Sequence, residues 1–510
     1  MTALGRALSV GLHGMTAQLV EVEAHLASAL PSFTLVGLPD ASLTESRSRV
    51  RAAVSSAGLG WPARRITVNL SPAALPKHGP GFDLAVAVAV LGAAEALDPT
   101  RSRDVVHLGE LGLDGRLRPV RGVLPAVAEA VSRGRTRIVV PTADVAEASL
   151  VRDAEVIGCT SLAEVVRLHG GDIPVPALAP VPAHRGTAAQ SPDSADLSDV
   201  LGQREARHAV EVAAAGGHHL LLSGPPGAGK TMLASRMPGL LPDLSEADAV
   251  EVSAVHSVAG TFDPSAGLLR RPPYEDPHHT ATAPSIVGGG SGWPRPGAAS
   301  RAHRGVLFLD EAPEFDTRVL QTLRQPLETG HMIVHRSGGA VRFPARFQLV
   351  LAANPCPCGQ ATGRGRDCLC TPHERRRYRT RLEGPLLDRV DLQIDVPAVR
   401  RTRGEGPGES TATVAARVRS ARAAQNARWA PYPWSLNSEA SGNELRALLG
   451  PRPAALTDLD RALEAGRLTL RGADRVLRVA WTLADLAGAT APTREDVGRA
   501  LLLRTRGGDR

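Results

Sequence analysis

Lysine is almost missing from this chain of 510 residues: of 59 basic residues only Lys77 and Lys230 are lysines, and arginine supplies the rest. Aromatic residues are scarce too, at 3%, which leaves alanine, leucine and valine to build a helix-rich interior. There are only five cysteines, four of them between positions 356 and 370, a usage that fits a reducing cytoplasm better than a disulfide scaffold. Long apolar runs are absent. The longest, Leu84 to Leu97, is alanine-rich and too short to span a bilayer, and no basic-apolar-small pattern at the start marks a signal peptide, so no membrane partner is expected. The length exceeds what one core supports and implies two or three domains. A net charge of +7 and a pI near 9.7 fit either a polyanionic partner or an arginine-biased but ordinary surface.

Where lysine is so rare, its placement is informative. Lys230 closes Gly224, Pro225, Pro226, Gly227, Ala228, Gly229, Lys230 and Thr231, a full match to the phosphate-binding pattern G-x-x-x-x-G-K-[ST]. A slim ammonium can follow β- and γ-phosphates as a point charge, which a planar guanidinium cannot do in the same loop. The apolar run Leu220 to Ser223 reads as a buried strand entering the loop, and Met232 to Met237 as the helix leaving it, whose positive end faces the phosphates. Thr231 is placed to hold Mg²⁺. Eighty residues past Lys230, Gly305 to Glu311 is a second apolar strand ending in two carboxylates. Asp310 is expected to organise the Mg²⁺ shell and Glu311 to polarise the attacking water. A third strand, Phe347 to Asn354, ends in an amide that could orient that water or touch the γ-phosphate. The three together predict binding and hydrolysis of ATP with Mg²⁺.

Around these motifs the chain divides into an α+β or α/β segment over 1–170, a proline- and alanine-rich linker over 171–196, a nucleotide domain over 197–399, and a polar connector leading into a helical region over 400–510. The strands expected in the first segment include Gln18 to Glu23, Arg65 to Leu70 and Arg137 to Pro141. The helix Thr413 to Arg428 is expected to be a packed lid helix. No internal repeat is present.

The nucleotide domain resembles AAA+ ATPases of the magnesium-chelatase-like branch, and over nearly its full length the chain resembles the ComM/YifB family. The matching stretches are 216–231, Pro277-His278-His279-Thr280, Gly305 to Phe315, Ala353 to Gly359 and Gly384 to Leu392. The resemblance implies an α/β phosphate-loop AAA+ core with a helical C-terminal lid, in a homo-oligomeric ring that is usually a hexamer, with ATP at each subunit interface. Asn354 would be the sensor of the third strand, and Arg389 the arginine finger reaching the neighbour's γ-phosphate. Arg471 would be the second sensor, with Arg475 as its rival for that role. Family members are associated with ATP-driven branch migration of recombination intermediates during natural transformation. That makes DNA the expected partner, branched or single-stranded and recognised without sequence preference. The alternative is a motor that remodels a protein, as chelatase ATPase subunits do.

Leu75 to Asp83 resembles the stretch of Lon-type proteases in which the nucleophilic serine follows Gly-Pro, but Gly81 stands in its place. Leu124 stands where the catalytic lysine would be, and Lys77 belongs to the loop before the nucleophile. A Ser-Lys dyad needs both groups, so residues 1–170 are expected to form a Lon-protease-like α+β domain without peptidase chemistry.

Cys356-Pro-Cys358 and Cys368-Leu-Cys370 flank nine residues rich in glycine and arginine. Four thiolates can hold Zn²⁺ tetrahedrally; the alternative is a set of reduced thiols in a flexible loop. The pair precedes the basic run Arg375 to Arg379. Cys159, far away, reads as a small core residue. Adjacent His278 and His279 cannot easily face one ion and are expected in a polar loop contacting DNA or a neighbour. Gly288 to Gly292 is expected to be flexible, and Arg342, Phe343 and Arg346 are candidates for pore contacts.

Overall fold

The computed structural model describes residues 3–37, 45–72, 77, 79–182, 195–290, 294–336, 339–361, 367–382, 386–398, 408–450 and 454–504. Residues 400–407 of the polar connector and 183–194 of the proline-rich linker lie outside these residues.

The nucleotide domain is built on a five-stranded sheet in the order Tyr274–Glu275, Val306–Leu309, Gln348–Ala353, Leu220–Ser223, Leu392–Asp395, with every neighbouring pair parallel. Alternate residues of the three central strands enter different cores. Leu220, Leu222, Phe308, Val350 and Ala352 join helices from 204–216, 411–429 and 470–486. Leu221, Leu307, Leu309, Leu349 and Leu351 join the opposite layer with Phe315, Val319 and Leu320. Because both faces are covered, these strands read as continuous apolar runs rather than alternating ones. The helix Thr411–Trp429 packs on Arg204–Gly216 and Leu470–Leu486, so the C-terminal helices share one hydrophobic cluster with the sheet.

The first segment holds a seven-stranded mixed sheet in the order Ser32–Val36, Arg65–Ser71, Thr16–Ala27, Ala3–His13, Val106–His107, Arg137–Pro141, Glu155–Cys159. The alanine-valine run over Asp83–Ala93 is a helix with every residue buried. It lies so close to the sheet that a Cβ at Gly5 would stand 2.1 Å from the Ala89 carbonyl oxygen. Cys159 is buried in this core. Among the described residues no helix is long and apolar enough to cross a membrane.

The two halves touch through a hairpin, His331–Arg336 with Gly339–Pro344. Its Val334, Val341 and Phe343 form a small cluster with Met15 and Val258. Phe343 is therefore fully buried, which overturns its expected role as a pore contact: alternation along the strand turns it toward the first segment. The glycine run begins in a short strand pair. Gly288–Gly289 pairs antiparallel with Arg295–Pro296, while residues 291–293 lie outside the described residues.

Candidate functional site

The carboxyl ends of the three central strands bring the expected phosphate-loop residues together. Strand Leu220–Ser223 runs into the loop, whose Gly227 and Gly229 have φ of 74° and 91°, a region open to glycine at little cost. Helix Lys230–Arg236 follows. The Lys230 ammonium donates to the carbonyls of Gly224 at 2.6 Å and Pro225 at 2.9 Å, and to Asn354 Oδ1 at 3.0 Å. Burial lowers the Lys230 pKa, opposed by the nearby Asp310 and Glu311 carboxylates. Thr231 Oγ1 donates to Asp310 Oδ2 at 2.7 Å, so the hydroxyl and the carboxylate that could share a divalent ion are already adjacent. Glu311 sits in a left-handed turn and directs its carboxylate to His279 Nδ1, 3.5 Å away.

Three participants are not legible in the sequence. The sequence suggests for His279 a loop facing a partner; the edge strand Tyr274–Glu275 instead delivers it to Glu311. Gln203 braces the phosphate loop, its amide donating to Ala228 O at 3.2 Å and to Pro397 O at 2.6 Å. Tyr378 is buried against the Asn354 backbone, with its phenol pushed up by burial and then by Glu314 and Glu311. Only the full Pro277-His-His-Thr match hints at one of them.

The arginines are elsewhere. Arg475 pairs with buried Asp391 at 2.6 Å and donates to the Arg389 carbonyl at 2.9 Å. Asp391 in turn bonds the His219 backbone at the start of the phosphate-loop strand. Burial opposes ionisation of Asp391, but Arg475, His218 and His219 outweigh it and hold its pKa well below the usual value. Arg389 is paired with Glu328. Its pKa is lowered first by burial, then by repulsion from Arg475, Arg471 and Arg324. The arginine cluster thus occupies the amino edge of the sheet, about 13 Å from the loop at about 3.3 Å per residue.

The four cysteines converge. Sγ of Cys356 is 3.4 Å from that of Cys358 and 3.6 Å from that of Cys368, Cys358 is 3.7 Å from Cys368, and Cys370 completes a set within 4.8 Å. A tetrahedron of thiolates about 2.3 Å from zinc has edges of about 3.8 Å, so the donor set fits such an ion. The Cys358 thiol is drawn down to about 6, first by the Gln360 backbone and then by Cys356. The cluster also abuts the phosphate loop: a Cβ at Gly359 would lie 2.6 Å from Pro226.

A parallel sheet with a phosphate loop, paired carboxylates and a strand-end amide at one edge defines a phosphate-loop ATPase of the AAA+ type. Families described as magnesium chelatase, subunit ChlI match residues 22–144 and 196–403, and its C-terminal part matches 408–504. An uncharacterized protein of Mycobacterium tuberculosis is 51% identical over the whole of both chains. Competence protein ComM of Haemophilus influenzae is 40% identical, covering 93% of this chain and 92% of its own. The uncharacterized protein YifB of Escherichia coli is also 40% identical, over 96% and 95%. The chain belongs to the ComM/YifB family of magnesium-chelatase-like proteins.

Proposed function

We propose that this protein is an ATP-hydrolysing ring motor that acts on DNA, as a branch-migration helicase aiding recombination of incoming DNA. The observation that carries the motor reading is the division of one site between two edges of the sheet. Lys230, Thr231, Asp310, Glu311 and Asn354 stand at the carboxyl edge, and the crowded guanidinium groups of Arg389 and Arg471 at the amino edge. Head-to-tail copies join the two halves and close into a ring, a hexamer in our reading. Lys230 then exchanges loop carbonyls for β- and γ-phosphate oxygens, and Thr231 with Asp310 holds Mg²⁺, which neutralises phosphate charge. Glu311, oriented by its turn and by His279, takes a proton from the attacking water. Asn354 positions that water, and the neighbour's Arg389 and Arg471 meet the charge that develops on the γ-phosphoryl group.

The cysteine set holds Zn²⁺ as a clip in this reading. Residues 1–170 form a Lon-protease-like domain without a dyad. A side chain at Gly81 would meet only Val120 Cγ1, 3.9 Å away, while Leu124 is buried. The DNA substrate is supported by the family resemblance, by the name of the competence protein among the relatives and by the net charge of +7. The test is ATP turnover with and without a four-way junction, with Glu311→Gln as the blank. Strong, salt-sensitive stimulation is expected. Robust turnover indifferent to any DNA would sink the DNA reading and favour a protein substrate.

A further inference from the structure

The basic helix Pro372–Thr380 meets the nucleotide site through Tyr378, while its arginines have no role there. It carries Arg375, Arg376, Arg377 and Arg379, and Arg376, Arg377 and Arg379 are exposed. Its acidic residue, Glu374, is used in the capping box, where its carboxylate accepts from the Thr371 N–H at 2.8 Å and the Thr371 hydroxyl at 3.0 Å. Among the described residues no carboxylate pairs with these four arginines. Other exposed arginines of this chain do find partners: Arg133 with Glu129, Arg137 with Glu155, Arg494 with Asp458.

Such a helix resists its own formation. Arginines three and four apart repel by a few tenths of a kcal/mol per pair, and a helix this short is marginal alone. It is nevertheless held at three points. The cysteine cluster precedes its N-terminus. Tyr378 is buried against the Asn354 backbone. Just beyond its C-terminus, Arg381 donates to Pro313 O at 2.9 Å, directly after Glu311 and Ala312. The anchors fix an electropositive face with no carboxylate partner among the described residues. At its entry Leu369, between two of the cysteines, is 93% exposed. Arginines alone suit any polyanion, whereas an exposed apolar tip beside them suits a strand whose bases are unstacked and accessible.

We propose that the outward face of this helix, Arg376, Arg377 and Arg379 with Leu369 at its entry, binds single-stranded DNA, the arginines taking the phosphate backbone and the leucine a base. The proposal rests on the DNA reading above and assigns it a contact surface. Arginines on phosphates release counterions, so they set the salt dependence of binding; an apolar side chain against a base sets affinity with little salt dependence.

The test is binding of a labelled oligothymidine to the full chain across a salt series, with nucleotide binding and sedimentation followed in parallel. For Arg376→Ala, Arg377→Ala and Arg379→Ala combined, the slope of log K against log salt should shrink by about 2, since each phosphate of a single strand that is no longer neutralised removes about 0.7. The corresponding triple lysine variant should keep most of the slope. Leu369→Ala should weaken binding several-fold at every salt concentration with the parental slope. Parental affinity and slope in the alanine variant would overturn the assignment while leaving the DNA reading intact. Loss of assembly with a parental slope would overturn it too, and would assign the face to a neighbouring subunit. A parent chain that binds no oligonucleotide would overturn both readings.

Discussion

The backbone of Glu311 is held at φ 49° and ψ 42°, a conformation that costs a non-glycine residue roughly 1–2 kcal/mol. Two hydrogen bonds offset this: its N–H donates to Asp310 Oδ1 at 2.9 Å, and its carbonyl accepts the Glu314 N–H at 2.7 Å. The turn sends two consecutive carboxylates different ways, Asp310 to Thr231 and Glu311 to His279. Glu311→Gln should therefore lower turnover by roughly 10²–10⁴-fold, the range of a lost general base, while nucleotide affinity is kept. His279→Ala should lower kcat by about tenfold with little change in KM, because it orients a base rather than holding nucleotide. A parental kcat in that variant would remove His279 from the site. Lys230, Asp310, Glu311 and Asn354 are legible in the sequence because each ends a strong local pattern. His279 and Gln203 are not, because each reaches the site from a loop by a tertiary path that no local spacing encodes.

The same contrast holds for elements. The three strands legible in the sequence are the central ones, apolar throughout because both faces are buried. The two that are not are the edges. Tyr274–Glu275 is two residues long, and Leu392–Asp395 alternates apolar with polar residues, so neither gives the continuous run of a central strand. The cysteine segment is legible as a spacing directly after Asn354; its reach over the phosphate loop at Pro226 comes from the fold. If it is a metal clip, the purified chain should carry about one zinc ion, as a closed four-thiolate site does. Cys368→Ser with Cys370→Ser should abolish it and open the stretch around residues 361–382 to proteolysis, and prolonged chelation should do the same to the parent. A metal-free chain with this segment equally resistant would leave four reduced thiols.

At the scale of the whole molecule, the first segment is fastened to the nucleotide domain by Arg152 on Glu246 at 2.7 Å, by Ser257 on Glu147, and by Met15 in the hairpin cluster. None of this docking is visible in the sequence, since each of these pairings joins residues more than ninety positions apart. The arginine finger proposed at Arg389 poses the larger question. In one chain Arg389 lies a strand's length from Lys230, paired with Glu328 and crowded by Arg471 and Arg475, so a neighbour's γ-phosphate would take the place of Glu328 as its counter-charge. A shared site makes a quantitative prediction. Arg389→Ala alone should bind nucleotide and fail to hydrolyse it, as should Glu311→Gln alone. Each variant keeps the half that the other lacks. Disassembling, mixing in equal amounts and reassembling the two should therefore restore turnover, to roughly a quarter of the parental rate per site in a random ring, because one neighbour pairing in four joins an intact Glu311 to an intact Arg389. Mixtures that stay as inactive as their components would place both groups in one chain's site and remove the ring from the mechanism.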